Sequence, residues 1–290
     1  MKAEYIKSPM NYMGGKFKLL KQITPLFPKG IDTFVDLFAG GVNVGINVPS
    51  KKLIINDNLT YLIELYRYFK LNSKQYILEY IEKRILEFDL SKENQEGYLR
   101  LRKEYNNKKR PLDLFVLTAY SFNHQIRFNN SHEFNTPFGK NRSSYNEKMR
   151  GNLISFIDSL HKKEVEIYNL SFESFNYEIL SYDDLVYCDP PYLVTTGTYN
   201  DGRRGFKGWG EKEDIELLNI LDNLNERNIK FSLSNVLEHK GKSNYILKDW
   251  LLKNKNKYKI HDLCFNYNNS SYNIKRNEVF ITREVLITNY

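Results

Sequence analysis

Apolar positions follow two rhythms along the chain. Short, nearly unbroken apolar runs lie at Asp32–Phe38 and Lys52–Asn56, then at Val165–Leu170, Leu185–Cys188, Lys230–Leu233, Lys259–Cys264 and Glu284–Thr288. Runs of this length predict strands, and their continuity predicts burial on both faces, as in parallel sheets. Elsewhere the spacing is helical: Leu19, Leu20, Ile23 and Leu26 within Phe17–Phe27, and the stretch Glu213–Asn225 between two late strands. Tyr61–Phe122 reads as almost wholly helical, with Gly97 and Pro111 as its interruptions. Ser121–Arg150 is polar, Asn-rich and basic, contains Pro137 and Gly139, and reads as hairpin and loop.

Strands alternating with helices predict an α/β fold around a parallel sheet. The helical and hairpin block then interrupts that sheet as an insertion. Residues 1–63 and 160–290 form the sheet domain on this reading, and residues 64–159 a second lobe. No internal repeat or Pro/Ser-rich hinge marks another boundary.

The chain of 290 residues is long enough to bury a core without disulfide or metal support. No stretch approaches twenty apolar residues, so no membrane helix is expected, and Met1–Lys18 lacks the apolar core of a secretory signal. Two cysteines, Cys188 and Cys264, exclude a disulfide framework or a Cys-rich zinc site and fit a reducing cytoplasm. The five histidines show no ligand spacing, so no metal is expected. Lys plus Arg number 43 against 35 Asp plus Glu, a net charge of +8, and there are 22 Tyr and 18 Phe. Basic charge with many aromatics suits a protein that grips phosphates and stacks bases, although an AT-rich genome favours the same residues.

Three motifs carry candidate chemistry. Asp189-Pro190-Pro191-Tyr192 follows the apolar run Leu185–Cys188 directly. Proline cannot continue a ladder, so the strand stops and a stiff loop presents one carboxylate, backbone carbonyls and a ring beyond a strand end, where open α/β sheets bind ligands. Such a set suits methylation of an exocyclic amine. Asp189 and the Pro190 carbonyl would accept from the two N–H groups, and Tyr192 would stack on the flipped base. A strand-ending turn with a capping Asp is the plainer alternative. Asp36-Leu37-Phe38-Ala39-Gly40-Gly41 ends the first run, and Asp57 ends the second about twenty residues later. Glycines there permit close backbone approach to a cofactor, and such an Asp commonly accepts from ribose; a tight turn and helix cap would look alike. Asn11-Tyr12-Met13-Gly14-Gly15-Lys16 precedes the first helix and reads by itself as a helix start, or as an anion nest that Lys16 could reach.

In this order the three motifs resemble the Dam (D12) family of adenine-N6 DNA methyltransferases, the α-class amino-methyltransferases. The resemblance runs from Tyr12 to Asn289. It includes Phe122-Asn123, Arg127-Phe128-Asn129, Phe134-Asn135 and Pro137-Phe138-Gly139, similar to the family's DNA-recognition hairpin, and Glu284–Tyr290, similar to its final strand. It implies a Rossmann-like methyltransferase sheet with an inserted, mainly helical DNA-recognition lobe. It implies methyl transfer from S-adenosylmethionine to N6 of a flipped adenine in duplex DNA, and in some settings a cognate restriction endonuclease as partner. Tyr12 and Lys16 would touch the cofactor, Phe38, Gly40 and Gly41 would shape its pocket, and Asp57 would hold its ribose. Phe172 would lie near its adenine, and Asp189 at the junction with the target base. Arg127, Asn129 and Asn135 would meet DNA, with Arg127 placed to take a guanine; Lys140, Arg142, Lys148 and Arg150 would grip phosphates.

The chain departs from the pattern at three places. Tyr12 stands where many relatives carry Trp, and Ser171 where some carry Asp. Asn123-His124-Gln125 replaces the Asn-Gly-Leu common in GATC readers, so the target sequence stays open. Cytosine-N4 methylation needs the same geometry, although Asp rather than Ser before Pro-Pro-Tyr favours adenine. A non-catalytic nucleic-acid-binding regulator on the same scaffold is the alternative of another class. Cys188 reads as a packing residue. Arg203, Arg204 and Lys207 would form a mobile cover, Lys275 and Arg276 would follow another polar loop, and Lys253, Lys255, Lys257 and Lys259 would lie in solvent.

Overall fold

The computed structural model describes residues 5–12, 14–194, 209–264 and 282–290. The stretch with Arg203, Arg204 and Lys207, and that with Lys275 and Arg276, lie outside the described residues. The chain supplies strands β1 (Ile31–Asp36), β2 (Ser50–Asn56), β3 (Glu164–Tyr168), β4 (Leu185–Cys188) and β5 (Lys230–His239). They are followed by β6 (Lys242–Ser243), β7 (Lys259–Leu263) and β8 (Thr282–Thr288). All eight join one sheet in the order β3-β2-β1-β4-β5-β8-β7, with β6 paired to β5.

Strands β3, β2, β1, β4 and β5 run parallel, as their continuous apolar character predicts. The last two differ from the expectation of a parallel sheet: β8 lies antiparallel to β5 and β7 antiparallel to β8. An apolar run reports burial on both faces and is silent on direction. Direction is set by how each connection returns the chain to the sheet, which the run itself does not encode.

Alternate residues of the central strands enter two separate cores. Phe34, Leu53, Ile55, Leu185, Tyr187 and Leu286 point to one face. Val35, Ile54, Val186, Cys188, Val285 and Ile287 point to the other. Across the sheet β1 lies between β2 and β4, so the chain leaves β1 to one side and returns to its other side. The carboxyl ends of β1 and β4, at Asp36 and Cys188, therefore flank a topological switch point, where such sheets open a crevice.

Between β2 and β3 the chain is mainly helical, and its apolar side chains share one core with a face of the sheet. The first helical segment, α1 (Leu20–Ile23), is one turn flanked by 3-10 turns, shorter than the predicted helix at Phe17–Phe27. The long helical stretch divides into α2 (Thr60–Leu71), α3 (Lys74–Glu87), α4 (Gln95–Lys108) and α5 (Pro111–Tyr120). Its breaks are set by caps: Ser73 accepts from the Tyr76 N–H, Asn94 from the Gly97 N–H, and Pro111 opens α5. Gly97 is no interruption. It lies within α4, where a Cβ would come 2.1 Å from the Phe88 carbonyl oxygen, so glycine there permits close packing. Helix α5 is buried all round from Leu112 to Tyr120 and packs on α2, α3 and α4. Helix α6 (Glu147–Lys162) returns the chain to β3, and α7 (Glu211–Glu226) and α8 (Tyr245–Lys253) cover the opposite face. None of the described helices is long and apolar enough to cross a membrane. Lys253, Lys255, Lys257 and Lys259 are exposed, as expected.

One buried ion pair holds the lobe together. The Arg84 guanidinium donates to both Asp113 oxygens, at 2.9 and 3.0 Å, and Tyr80 donates to Asp113 at 3.0 Å. Asp113 is fully buried and Arg84 nearly so. Removing one partner strands the other charge away from water. Arg84→Met is expected to cost about 3–5 kcal/mol of folding stability, measured by urea denaturation.

Candidate active site

A single glycine-rich turn forms the floor of the crevice. Gly40 has φ +45°, and a Cβ on it would sit 2.8 Å from Cδ1 of Tyr12. Glycine is thus required twice over, by conformation and by the ring laid against it. The turn is pinned from three sides. The Tyr66 hydroxyl on α2 donates to the Gly40 carbonyl at 2.7 Å, Asp57 accepts from the Gly40 N–H at 2.8 Å, and Asp36 accepts from the Gly45 N–H at 2.9 Å. The resulting cleft is lined by Tyr12, Lys16, Asp36, Phe38, Gly40 and Asp189, among others.

Two residues expected at the cofactor stand one layer back. Asp57 is absent from the cleft wall: its second oxygen accepts from the Leu59 N–H at 2.9 Å, so both oxygens hold backbone. It supports the turn and the start of α2. Phe172 is also behind the wall, packed on Phe38 at 5.6 Å and on Trp209 at 5.4 Å between ring centroids. Trp209 meets Phe38 edge-on at 5.5 Å, which completes an aromatic cluster beside the cleft.

The charged centre joins three distant segments. Lys16 is 5% exposed, and its ammonium lies 2.8 Å from Asp189 Oδ1 and 3.6 Å from Glu284 Oε1. It also donates to the Gly14 carbonyl at 3.0 Å. The Tyr192 hydroxyl donates to Asp189 Oδ1 at 2.8 Å and reaches Glu284 Oε1 at 3.3 Å. The Lys16 ammonium stands 5.0 Å from the centre of the Tyr192 ring, and that ring is buried in this arrangement. Among the described residues none donates to Asp189 Oδ2. Burial pushes the Asp189 carboxyl above the usual range, and the neighbouring Lys16 charge opposes that shift. Burial also lifts Asp36, to about 7, helped by the nearby Asp189 and Asp57 charges and resisted by the Gly45 N–H. The Cys188 thiol is buried in the core and pushed up by burial, which suits packing and not nucleophilic attack. Among the described residues no group of three His, Cys, Asp or Glu is placed to hold a metal.

The segment expected as a hairpin is an open antiparallel excursion with two isolated bridges, Ser121–Phe138 and Phe128–Phe134. Prolines, glycines and side chains that bond their own backbone leave no regular ladder. Asn129 closes its tip: Oδ1 accepts from the N–H groups of Ser131 and Glu133, and Nδ2 donates to Glu133. Asn129 is thus occupied in the turn. Lys109 anchors the tip by donating to the His132 carbonyl at 2.6 Å, with its ammonium near the rings of Tyr61, Tyr105 and Phe128. Arg127 and Asn135 face each other across the strands through the Asn135 N–H and the Arg127 carbonyl. Arg127 Nε and Asn135 Oδ1 are both buried without a hydrogen-bond partner among the described residues. Lys140 and Arg142 are exposed beside them, Arg142 over the Phe122 ring at 5.0 Å. Asn11 donates to the Asn123 carbonyl at 2.9 Å and so ties this segment to the glycine loop.

Sequence reasoning missed Asp36, Trp209 and Glu284. Asp36 stood in the quoted motif and ends β1 beside β4, a signal that was present. Glu284 is an acidic residue inside an apolar strand, a mismatch that flags function. The raised Asp36 makes a pH dependence. Its proton affinity is higher folded than unfolded, so its ionisation costs stability as pH rises through about 7. Asp36→Asn is expected to melt close to wild type near about pH 4 and increasingly above it toward about pH 8, read by calorimetry.

The D12 class N6 adenine-specific DNA methyltransferase family model matches residues 12–266. The type II methyltransferase M.FokI of Planomicrobium okeanokoites is 53% identical over 99% of this chain, and the modification methylase StsI of Streptococcus sanguinis 51% identical over 99%. The chain spans 43% of the length of each of these relatives. The DNA adenine methylase of Escherichia coli (strain K12) is 29% identical over 78% of this chain and 79% of its own length. With the glycine-floored cleft and the Asp-Pro-Pro-Tyr strand end in place, this match over most of the sequence means that the chain belongs to the D12 class of N6 adenine-specific DNA methyltransferases.

Proposed function

We propose that the protein transfers a methyl group from S-adenosylmethionine to N6 of an adenine flipped out of duplex DNA. One observation carries this reading: a half-buried carboxylate, Asp189, follows β4 at the switch point and lines the cleft, with one oxygen fixed by Lys16 and Tyr192. The residues present fit the methyl donor. A cleft with carboxylates at Asp36 and Asp189 favours a cationic ligand, and the Gly14-Gly15 and Gly40-Gly41 backbone admits close approach. Tyr12, Lys16, Phe38 and Gly40 would hold it directly, with Asp57 and Phe172 supporting the wall. S-adenosylmethionine supplies an electrophilic methyl carbon when bound.

The chain contributes alignment. The amine of adenine is a weak nucleophile because its lone pair is delocalised. Asp189 Oδ2 and the Pro190 carbonyl would accept its two N–H bonds and favour the tetrahedral nitrogen. Pro191 stiffens the loop, and Tyr192 would turn its ring from beneath Lys16 to stack on the base. No strong base is needed at the start, since the proton leaves after the nitrogen becomes cationic. Residues 64–159 would act as the DNA-recognition lobe. Arg127 and Asn135, on facing positions of the excursion, suit base edges, and the exposed Lys140 and Arg142 suit phosphates. The relatives' names as type II and modification methylases make a cognate restriction endonuclease, acting in the same cytoplasm, the natural partner.

Nucleoside mass spectrometry of unmethylated mixed-sequence DNA, after incubation with protein and S-adenosylmethionine, is expected to reveal N6-methyladenine. N4-methylcytosine or no product would overturn the assignment. Asp189→Ala is expected to lower turnover by at least about a hundredfold with the circular dichroism spectrum unchanged. Arg127→Ala is expected to cost about 1–3 kcal/mol of discrimination at one base pair, measured by turnover on single-substitution duplexes.

A further inference from the structure

Glu284 is the one carboxylate of the site that neither motif nor strand ending announced. It is 2% exposed, the third residue of β8, where the buried apolar part of the strand begins. Burying a carboxylate is costly unless charged or polar partners hold it, so apolar packing does not account for Glu284. The β5–β8 ladder shifts register between Val236 and Glu238, immediately beside the Val236–Glu284 pair. Bulges of this kind re-aim side chains next to active sites. Here the side chain reaches Lys16 at 3.6 Å and Tyr192 at 3.3 Å, the same two groups that bond Asp189 Oδ1.

We infer that Glu284 is a positioning residue for methyl transfer, holding the Lys16 ammonium, and until the base arrives the Tyr192 hydroxyl, against Asp189 Oδ1 so that Oδ2 faces the substrate amine. The inference rests on the proposed role of Asp189 as the amine's acceptor. Without Glu284 the second carboxylate that draws both donors toward Asp189 Oδ1 is gone, and the carboxylate loses a constraint on its rotation. Among the described residues the charged and titratable groups around Asp189 are Lys16 from the glycine loop, Asp36 from β1, Tyr187 and Cys188 from β4, Tyr192 from its own loop and Glu284 from β8. The negative Glu284 raises the proton affinity of Asp189, and Lys16 lowers it.

Carbon-13 NMR of the aspartate carboxylates in the 290-residue chain, assigned with Asp189→Asn, reads the Asp189 titration without DNA or cofactor. Glu284→Gln keeps the shape and removes the charge, so that titration is expected to move to lower pH. In turnover, kcat is expected to fall about a hundredfold while KM for DNA changes by less than about threefold, and the acid limb of kcat moves down with the titration. Glu284→Asp keeps the charge and is expected to restore the titration. An unmoved titration in folded Glu284→Gln protein, or a wild-type kcat, overturns the inference. A wild-type protein that methylates no base overturns the proposed function instead, and the titration still judges whether Glu284 acts on Asp189.

Discussion

An ammonium and a carboxylate held 2.8 Å apart and largely out of water bind the start of this chain to the end of its fourth strand. Removing two charges from water costs several kcal/mol for each, and only close partners and further hydrogen bonds offset it. Around Lys16 and Asp189 the structure supplies them: the Gly14 carbonyl, the Tyr192 hydroxyl and Glu284. Each comes from a different part of the fold. The glycine loop, the proline-stiffened turn after β4 and the bulged pairing of β8 thus meet a single requirement.

The same centre sets the electrical character of the cleft. Lys16 is flanked by two carboxylates, so its charge is more than balanced. Asp36, one strand over, is pushed toward its neutral form by that crowding and by burial. A cleft arranged in this way discourages a further anion and favours a cation, and it holds back one carboxyl group whose charge answers to whatever binds beside it.

Much of this was legible from residues alone. The apolar runs located the strands, and two prolines after Cys188 marked where a loop had to present Asp189. Strand direction was hidden, because the apolar character of β8 looks the same in either sense, and β7, read as a buried run, is a largely exposed edge strand. The tasks of polar residues were hidden where their partners are distant. Asp57 was found by its place at a strand end, yet it bonds the backbone of Gly40, and that choice depends on how the turn folds over it. Asn129 looked like a base reader and closes a turn of its own segment. Glu284 carried a signal in its mismatch with an apolar strand, but its partners Lys16 and Tyr192 become neighbours only when β8 slides between β5 and β7.

The ion pair between Lys16 and Glu284 joins residues separated by nearly the whole chain. Contacts of such long sequence separation form late and slowly, because loop-closure entropy must be met before they contribute. Translation proceeds from the first residue, and domains fold as their chain emerges. A nascent chain that has left the ribosome as far as β7 can hold the glycine turn, the helical lobe and Asp189, yet it lacks the strand that completes the charge cluster. Competence for the proposed chemistry then arrives in a single step, when β8 enters the sheet between β5 and β7.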